Sequence, residues 1–403
     1  MRRNLVAWMV VPVLWGQACW AQQSAASVEP NDFRPASKNV PGSEYPQVNS
    51  ARQAKFRICA PNAQSVRVSP GNTALAQRED GFWIGVTKPQ DPGFHYYTIN
   101  VDGMGAADPA SGSFFCAGFM HSGIEVPAED QDFYQPKDVR HGEVRSKWYF
   151  SKVTKAWRRC FVYTPPDYDA NTGARYPVLY LQHGWGEDAR GWPTQGHANF
   201  ILDNLIAEGK AKPMILVMDD GNITGSFGRG RGARRERGAA GARGAPGERG
   251  GSRGRGGIFS MGAQFTDAVI QGIIPMTDST YRTLTDREHR AVAGLSMGGM
   301  QMFNITMSNL DKFAYIAGFS PGLPMDTINR IYEGPNGFNE KVKVLFLGAG
   351  GRERQSNPNI WNLHEALAKA SIKSVYYESP GTAREWLAWR RHLREFAVLL
   401  FKD

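Results

Sequence analysis

The sequence predicts an α/β protein in which a doubly wound, mostly parallel sheet is preceded by a smaller N-terminal all-β sandwich. Three observations support this fold class. From about residue 140 onward, apolar strand-like runs alternate with helical segments, as in sheets with crossover helices. Short β-like runs separated by Pro, Gly and Asn fill residues 54–126, which is typical of a sandwich. A Gly-x-Ser-x-Gly pentapeptide stands between a predicted strand and a predicted helix.

Residues 1–21 have the features of a secretory signal peptide. Arg2 and Arg3 form a charged start, an apolar run covers residues 5–15, and Ala21 offers a small residue for cleavage. The apolar run is too short for a comfortable membrane span. We therefore predict an exported chain, secreted or periplasmic, with no membrane attachment after cleavage.

Composition sets the remaining boundaries. Residues 22–45 are polar and rich in Pro, Ser and Asn, which predicts a linker. The predicted β-sandwich covers residues 46–137, with strand candidates at 55–60, 65–68, 81–86 and 94–101. The predicted α/β domain covers residues 138–403, with strand candidates at 176–181, 213–218, 290–295 and 341–347, and helix candidates at 196–210, 264–277 and 360–371.

The net charge of +9 belongs mainly to one low-complexity insertion, residues 226–257, with nine arginines and two glutamates. Arg2 and Arg3 account for the other two charges, so the folded body is neutral. Such a segment cannot bury a core, and we predict a surface insertion near the sheet's carboxyl edge, attracted to acidic polysaccharide. Its few Gly triplets are too short for a collagen helix. Export argues against the other interpretation, an Arg/Gly nucleic-acid-binding segment, so no nucleic-acid partner is expected.

Cysteine and histidine usage adds little. Cys59, Cys116 and Cys160 remain after the predicted cleavage, too few for a disulfide framework. Buried thiols are the favoured interpretation, and a single disulfide is the alternative. The histidines lack His-Glu-x-x-His or comparable spacing. No metal and no cofactor are expected, and the oligomeric state leaves no signal in the sequence.

The pentapeptide at 294–298 has Ser296 at its centre. Flanking glycines allow a strained strand-to-helix turn that leaves the serine Oγ exposed. The strand before it and the helix after it favour a catalytic nucleophile over a plain glycine turn.

Five segments of the α/β domain carry a family resemblance: Tyr-Thr-Pro-Pro-Asp-Tyr (163–168), Leu-Gln-His-Gly-Trp-Gly-Glu-Asp (181–188), Ile-Leu-Asp-Asn-Leu-Ile-Ala-Glu-Gly (201–209), Gly-Leu-Ser-Met-Gly-Gly (294–299) and Ser-Pro-Gly-Thr-Ala (379–383). Through them the domain resembles the esterase D-type branch of the α/β hydrolases, which includes bacterial feruloyl and acetyl-xylan esterases. Three segments of the β region, at 60–66, 80–83 and 92–97, resemble the immunoglobulin-like carbohydrate-binding modules of family 48. The resemblance implies an exported serine carboxylester hydrolase whose substrate is an acylated plant polysaccharide or oligosaccharide.

The resemblance also implies roles for individual residues. Ser296 is the nucleophile, and the backbone N–H groups of Met297 and Trp185 form the oxyanion hole. Gly184 and Trp386 are expected to contact substrate. Glu353, in Gly-Gly-Arg-Glu, matches the triad acid. The alternatives are packing for Trp185 and a solvated charge for Glu353.

The family's histidine belongs in the loop 380–386, where this chain has Arg384. An arginine stays protonated in proteins and cannot accept the serine proton. His392 is eight residues further on, about 12 Å along a helix, too far for one side chain to span. His183 and His197, near the predicted oxyanion loop, are the other candidates to replace the missing base.

Two hypotheses follow from Arg384. The first is an exported esterase impaired by this residue, because loss of a triad histidine costs on the order of 10⁶ in kcat. The second is a catalytically inactive homologue that binds carbohydrate or ester. Trp185, Trp192 and Trp386 are candidates for an aromatic acyl pocket or for ordinary packing. The acyl group and the sugar stay open.

Overall fold

The structure is a computed structural model that describes residues 31–69, 71–223, 264–322, 335–356 and 359–402. The predicted signal peptide and the insertion at 226–257 lie outside the described residues, and both stay predictions. In the part of the chain that is described, no helix has the length and apolar character needed to cross a bilayer.

The N-terminal region is all-β, as predicted. Its strands are β1 Arg34–Pro35, β2 Gln47–Val48, β3 Ala54–Cys59, β4 Val66–Val68, β5 Thr73–Ala74, β6 Ala76–Gln77, β7 Phe82–Val86, β8 Gly93–Tyr97, β9 Ile99–Val101, β10 Met104–Ala106, β11 Ser113–Cys116 and β12 Phe119–Val126. They form three small sheets in the orders β1-β2-β3-β7-β6, β10-β9-β4-β5 and β11-β12-β8. Alternate side chains of β3 and β4, such as Phe56 and Val66, point into one shared apolar core.

The linker prediction for residues 22–45 is wrong for its described part. Arg34 and Pro35 pair with β2, Ala36 is buried, and the Val40 N–H donates to the Ala110 carbonyl at 2.9 Å. Proline and polar residues are tolerated here because the segment forms the edge of a sheet. Composition alone therefore does not separate such an edge from a linker.

The C-terminal domain contains one eight-stranded mixed sheet. Its strands are β13 Glu143–Ser151, β14 Ala156–Thr164, β15 Val178–Gln182, β16 Ile215–Met218, β17 Arg290–Leu295, β18 Tyr315–Phe319, β19 Val344–Gly350 and β20 Val375–Ser379. The order is β13-β14-β16-β15-β17-β18-β19-β20. The β13–β14 hairpin and the β14–β16 pair are antiparallel, and every later pair is parallel.

Helices cover both faces of this sheet, so the predicted doubly wound architecture is confirmed. They are α1 Gly191–Thr194, α2 Ala198–Ala207, α3 Ile274–Thr280 (preceded by a π-helical turn, Val269–Ile273), α4 Met297–Met307, α5 Pro335–Lys341, α6 Glu353–Ser356, α7 Asn359–Lys369 and α8 Trp386–Ala397. One apolar core lies on the side of α2 and α8, and the other lies on the side of α3, α4 and α7. The parallel strands end at a common carboxyl edge, where open α/β sheets place their ligands.

The β region docks on α8 through a buried ion pair. Arg390 of α8 donates to both carboxylate oxygens of Glu125 at 2.6 and 3.0 Å, and both side chains are almost fully buried. A Cβ on Gly93 would lie 2.8 Å from Leu387 Cβ, so the backbone of β8 also lies directly against this helix. The β region therefore shares a buried interface with the sheet's helix α8.

The Glu125–Arg390 pair should dominate the stability of this interface. Burial raises the pKa of Glu125, but the adjacent guanidinium outweighs burial and the net pKa lies below its usual range. Glu125→Gln should lower the free energy of unfolding at pH 7 by about 3 kcal/mol, because it leaves Arg390 buried without its counter-charge. Urea unfolding measures this loss. It should shrink as the pH falls through the folded-state pKa of Glu125, where the wild-type carboxylate also loses its charge.

The control is the exposed pair Lys137–Glu208. Glu208→Ala should change stability by less than about 1 kcal/mol. Equal effects of the two substitutions would contradict a special role for the buried pair.

Candidate active site

Ser296 lies on a strained turn between β17 and α4. Its backbone has φ 53° and ψ −115°, a region that non-glycine residues rarely adopt. A Cβ on Gly294 would lie 2.4 Å from the Gly298 carbonyl carbon, and a Cβ on Gly298 would lie 2.3 Å from the His183 oxygen. Glycine is therefore required at both flanking positions by close approach of backbone, and the turn presents the Ser296 side chain at the carboxyl edge.

The loop after β15 lies directly against this turn. A Cβ on Gly184 would be 2.4 Å from Leu295 Cδ1 and 3.5 Å from Ser296 Cβ. The neighbouring Trp185 side chain is 63% exposed. Met297 is the first residue of α4, so its N–H has no acceptor within the helix. The predicted oxyanion donors, Trp185 and Met297, thus flank the serine on the two adjoining segments.

Glu353 begins α6, directly beyond β19. It is 5% exposed, and its Oε2 accepts hydrogen bonds from Ser320 Oγ at 2.6 Å and from the Gly350 N–H at 2.8 Å. These two neutral donors fix the orientation of the carboxylate. The alternative of a solvated charge is excluded by this burial.

Arg384 lies between the serine and the carboxylate. Its Nη2 donates to Ser296 Oγ at 2.7 Å, and its Nη1 is 4.0 Å from Glu353 Oε1. The loop after β20 thus brings a guanidinium to the point where a base would have to accept the serine proton. A guanidinium has hydrogen-bond donors and no acceptor. Arg384 can therefore donate a hydrogen bond to Ser296 Oγ, but it cannot remove the serine proton.

The other histidines considered as bases are buried and engaged elsewhere. His183 Nε2 accepts the Gly221 N–H at 3.0 Å, and its Nδ1 lies 2.8 Å from the Gly184 oxygen. His197 contacts Lys38 Nζ at 2.6 Å, and burial lowers its pKa to about 3. His392 Nε2 lies 3.1 Å from the Ala349 oxygen, and burial also lowers its pKa to about 3.

Glu187 supports the predicted oxyanion loop, the segment after β15 that contains Gly184 and Trp185, a role that the sequence did not reveal. The side chain is 4% exposed, and burial raises its pKa. Its Oε2 accepts the Gly184 N–H at 3.2 Å, and its Oε1 accepts the hydroxyl of Tyr96 from β8 at 3.0 Å. Tyr96 also accepts from Gln195 Nε2 at 2.7 Å and from Trp386 Nε1 at 3.3 Å. The β region therefore helps to hold the turn at Gly184, and 91 residues of separation hide this contact from motif analysis.

The substrate-contact prediction for Trp386 is wrong. Trp386 is 2% exposed and Trp192 is 1% exposed, and the two rings pack edge to face at 5.4 Å. Trp389 packs on Trp386 at 5.3 Å. The first turn of α8 faces the core, so these tryptophans hold the helix in place. Of the three proposed for an acyl pocket, only Trp185 is exposed.

Among the residues that the structure describes, Cys59, Cys116 and Cys160 are free thiols. Cys160 is buried as predicted, whereas Cys59 is exposed and Cys116 is half-buried. Within the described ranges, no group of three or more His, Cys, Asp or Glu side chains is arranged to hold a metal ion.

Comparison with known proteins places these features in a family. Residues 151–394 match the family model described as "Putative esterase". The chain is 40% identical over 383 residues to an endo-1,4-beta-xylanase/feruloyl esterase of Xylanibacter ruminicola, covering 92% of this chain and 48% of that protein. The chain thus spans about half the length of that relative.

Two solved structures share the fold. A ferulic acid esterase of Anaeromyces mucronatus in complex with ferulic acid has a TM-score of 0.52 at 22% identity, covering 68% of this chain and 96% of the other. The enterobactin esterase of Shigella flexneri has a TM-score of 0.58 at 14% identity, covering 86% and 92%. With the strand order above, these similarities establish an α/β-hydrolase fold.

Gly298→Ala should disturb the junction between the serine turn and the loop after β15. The new Cβ would meet the His183 carbonyl, which is backbone and cannot move aside cheaply. We expect a loss of about 1–3 kcal/mol, as for other overpacked sites, measured by denaturant unfolding. Gly322→Ala is the matched control because a Cβ there meets nothing within 4 Å. If the two variants have the same free energy of unfolding, the close approach at Gly298 does not affect stability.

Proposed function

Because the chain belongs to this esterase family, we propose that it is a serine carboxylester hydrolase of feruloyl or acetyl groups on plant polysaccharides, impaired by Arg384. The observation that carries the proposal is an arrangement at the sheet's carboxyl edge. There the Arg384 guanidinium lies between Ser296 Oγ and the buried Glu353 carboxylate. The relative from Xylanibacter ruminicola, named a xylanase and feruloyl esterase, supports this substrate class.

The reaction assigns a task to each residue. Ser296 Oγ attacks the ester carbonyl carbon, and the N–H groups of Trp185 and Met297 stabilise the oxyanion that forms. The C–O bond to the sugar then breaks, and the sugar oxygen takes up a proton. Water attacks the acyl-serine in the second half and releases the acid. A neutral base has to receive the serine proton and return it at each half-reaction.

Arg384 cannot perform this proton transfer. Its Nη2 donates a hydrogen bond to Ser296 Oγ and cannot accept the serine proton. Water then has to accept that proton. Without the base, the oxyanion hole and substrate binding leave roughly 10³–10⁴ of acceleration over water. We infer that Arg384 occupies the position of the triad histidine, with Glu353 as the triad acid.

The same residue favours a second candidate function, a catalytically inactive homologue that binds carbohydrate or ester. Arg384 and Glu353 neutralise each other beside the serine, while the turn and the oxyanion loop keep their close packing. Such a site holds an ester without turning it over.

The remaining parts of the proposal concern setting and partners. We propose that the all-β region is a carbohydrate-binding module of the family 48 type, supported by its small sheets around one core. Export is proposed from the charged and apolar start of residues 1–21. The partners are then acylated polysaccharides or oligosaccharides outside the cytoplasm.

Arg384→His should restore turnover by at least about 10³-fold in kcat. The imidazole can accept the Ser296 proton, and Glu353 can orient it. Hydrolysis of methyl ferulate and p-nitrophenyl acetate measures the gain, which should rise with pH as the imidazole loses its proton near its usual pKa of about 6.5.

Two controls bound this test. Ser296→Ala added to Arg384→His should abolish the restored activity, and Arg354→His, on an arginine that packs over Trp361, should restore none. Robust Ser296-dependent turnover by the unmodified chain would refute the impairment. No gain from Arg384→His, in a variant that remains folded and still binds the ester, would favour the binding function.

A further inference from the structure

The β13–β14 hairpin carries large aromatic side chains on its solvent face. In its register, Phe150 is opposite Trp157 and Trp148 is opposite Arg159. Paired residues of an antiparallel ladder point to the same face. Trp148, Phe150 and Trp157 are 57%, 52% and 67% exposed, and the Phe150 and Trp157 rings lie 5.8 Å apart.

The opposite face of this hairpin already supplies the core. Tyr149, Cys160 and Val162 alternate with the exposed positions and are buried in the sheet's apolar core. The outward positions of such a strand normally carry polar residues. This row of exposed aromatic rings is therefore not needed for folding, and exposed apolar patches of this kind are typical of binding surfaces.

A cavity of about 340 Å³ opens beside these rings, within the size range of small-molecule sites. Trp148, Trp157 and Phe161 line one side, and Asp188, Arg190 and Asp220 from the loops after β15 and β16 line the other. The cavity thus combines flat apolar surfaces with hydrogen-bonding groups.

The charges around the cavity are mostly paired with one another. Arg190 Nε donates to Asp188 at 2.9 Å, and Arg158 donates to Asp219 at 2.8 Å and also to the Asp220 carbonyl. Arg159 lies over the Trp148 ring at 5.5 Å. Side chains whose charges are already paired attract a strongly ionic ligand only weakly. Their remaining donor and acceptor atoms can still form hydrogen bonds with hydroxyl groups. This combination fits a neutral polyhydroxylated ligand, whose ring faces stack on tryptophan.

The cavity and the candidate active site share one loop. Asp188 and Arg190 follow Trp185 by three and five residues, and Asn222 Nδ2 ties the loop after β16 to the Glu187 carbonyl at 2.9 Å. A polymer whose ester lies at Ser296 can therefore continue past Trp185 toward the hairpin.

We propose that this cavity, with the rings of Trp148 and Trp157, is a glycan subsite that binds unacylated sugar units of the polysaccharide. The inference rests on the proposed function for its substrate class. It predicts binding that needs no ester and no catalytic residue.

The test measures binding of xylohexaose, a neutral oligosaccharide without acyl groups, to the full-length chain carrying Ser296→Ala. Isothermal titration calorimetry and native electrophoresis through arabinoxylan-containing gels both report it. Adding Trp148→Ala and Trp157→Ala should weaken binding at least tenfold, and Trp148→Phe with Trp157→Phe should weaken it less because flat rings remain. Val375→Ala, at an exposed apolar residue of β20 on the opposite edge of the same sheet, is the control and should change nothing.

Several outcomes would overturn the subsite. Equal binding by all variants, or loss caused by Val375→Ala as well, would place the sugar elsewhere. A dimer in solution that the tryptophan substitutions convert to monomer would make the row an interface between two copies. Thermal unfolding of the alanine variants should match the parent, as the rings are exposed.

Measurements of catalysis distinguish failure of the subsite proposal from failure of the proposed function. In the Arg384→His background, the two alanine substitutions should leave methyl ferulate hydrolysis unchanged and raise KM for feruloylated arabinoxylan. Tryptophan-dependent xylohexaose binding without any restored hydrolysis would refute the esterase proposal and leave the subsite standing. Restored hydrolysis without tryptophan-dependent binding of xylohexaose would support the esterase proposal and refute the subsite.

Discussion

Close approach of backbone segments at the carboxyl edge of the sheet is the constraint on which the candidate site depends. The serine turn approaches the loop after β15, and the end of β19 approaches the loop after β20, so closely that a methyl group would collide with backbone. Gly298 lies against the His183 carbonyl, and Gly350 lies against Ala383, where a Cβ would approach the carbonyl oxygen to 2.2 Å. These backbone contacts position the segments that carry Ser296, Trp185 and Arg384. The distances among the three residues therefore depend first on the backbone and only then on side-chain rotamers. Tight packing of this kind transmits small displacements rather than absorbing them.

Buried polar contacts then join the two domains around that edge. Glu187 receives one hydrogen bond from the oxyanion loop and one from Tyr96 of the β region, and Glu125 receives Arg390 from α8. A buried acceptor that loses its donor suffers the full desolvation penalty, so separation of the domains would expose or strand both carboxylates. The β region is thereby a structural part of the hydrolase domain's site as well as a neighbour in sequence.

Local pattern and motif predicted the parts of the site that lie close together in the chain. The strand at 290–295 has the bounds expected from its apolar run, and the glycine spacing indicated the turn that follows. Glu353 was predicted from a short motif, and one of its two hydrogen-bond donors, the Gly350 N–H, is a neighbour in sequence, whereas the other, Ser320, is 33 residues away. The roles of Tyr96 and Trp386 depend on contacts with distant segments, and nothing in the local sequence encodes them. The strand at Arg34–Pro35 was hidden for a related reason, since an edge strand is polar and pairs on one side only.

Arg384 shows how geometry and proton chemistry separate in such a site. The guanidinium reaches the serine oxygen at ordinary hydrogen-bond distance and lies near the buried carboxylate, so the polar groups that a histidine would join are still joined. Neither Ser296 nor Glu353 is left unsatisfied, so the fold has no energetic reason to exclude an arginine at position 384. What changes is the direction of the hydrogen bond at Oγ. An imidazole accepts the serine proton, whereas a guanidinium donates one of its own. Under the proposed function, the packing at this edge persists and an ester can still bind, while the proton transfer that turnover requires is lost.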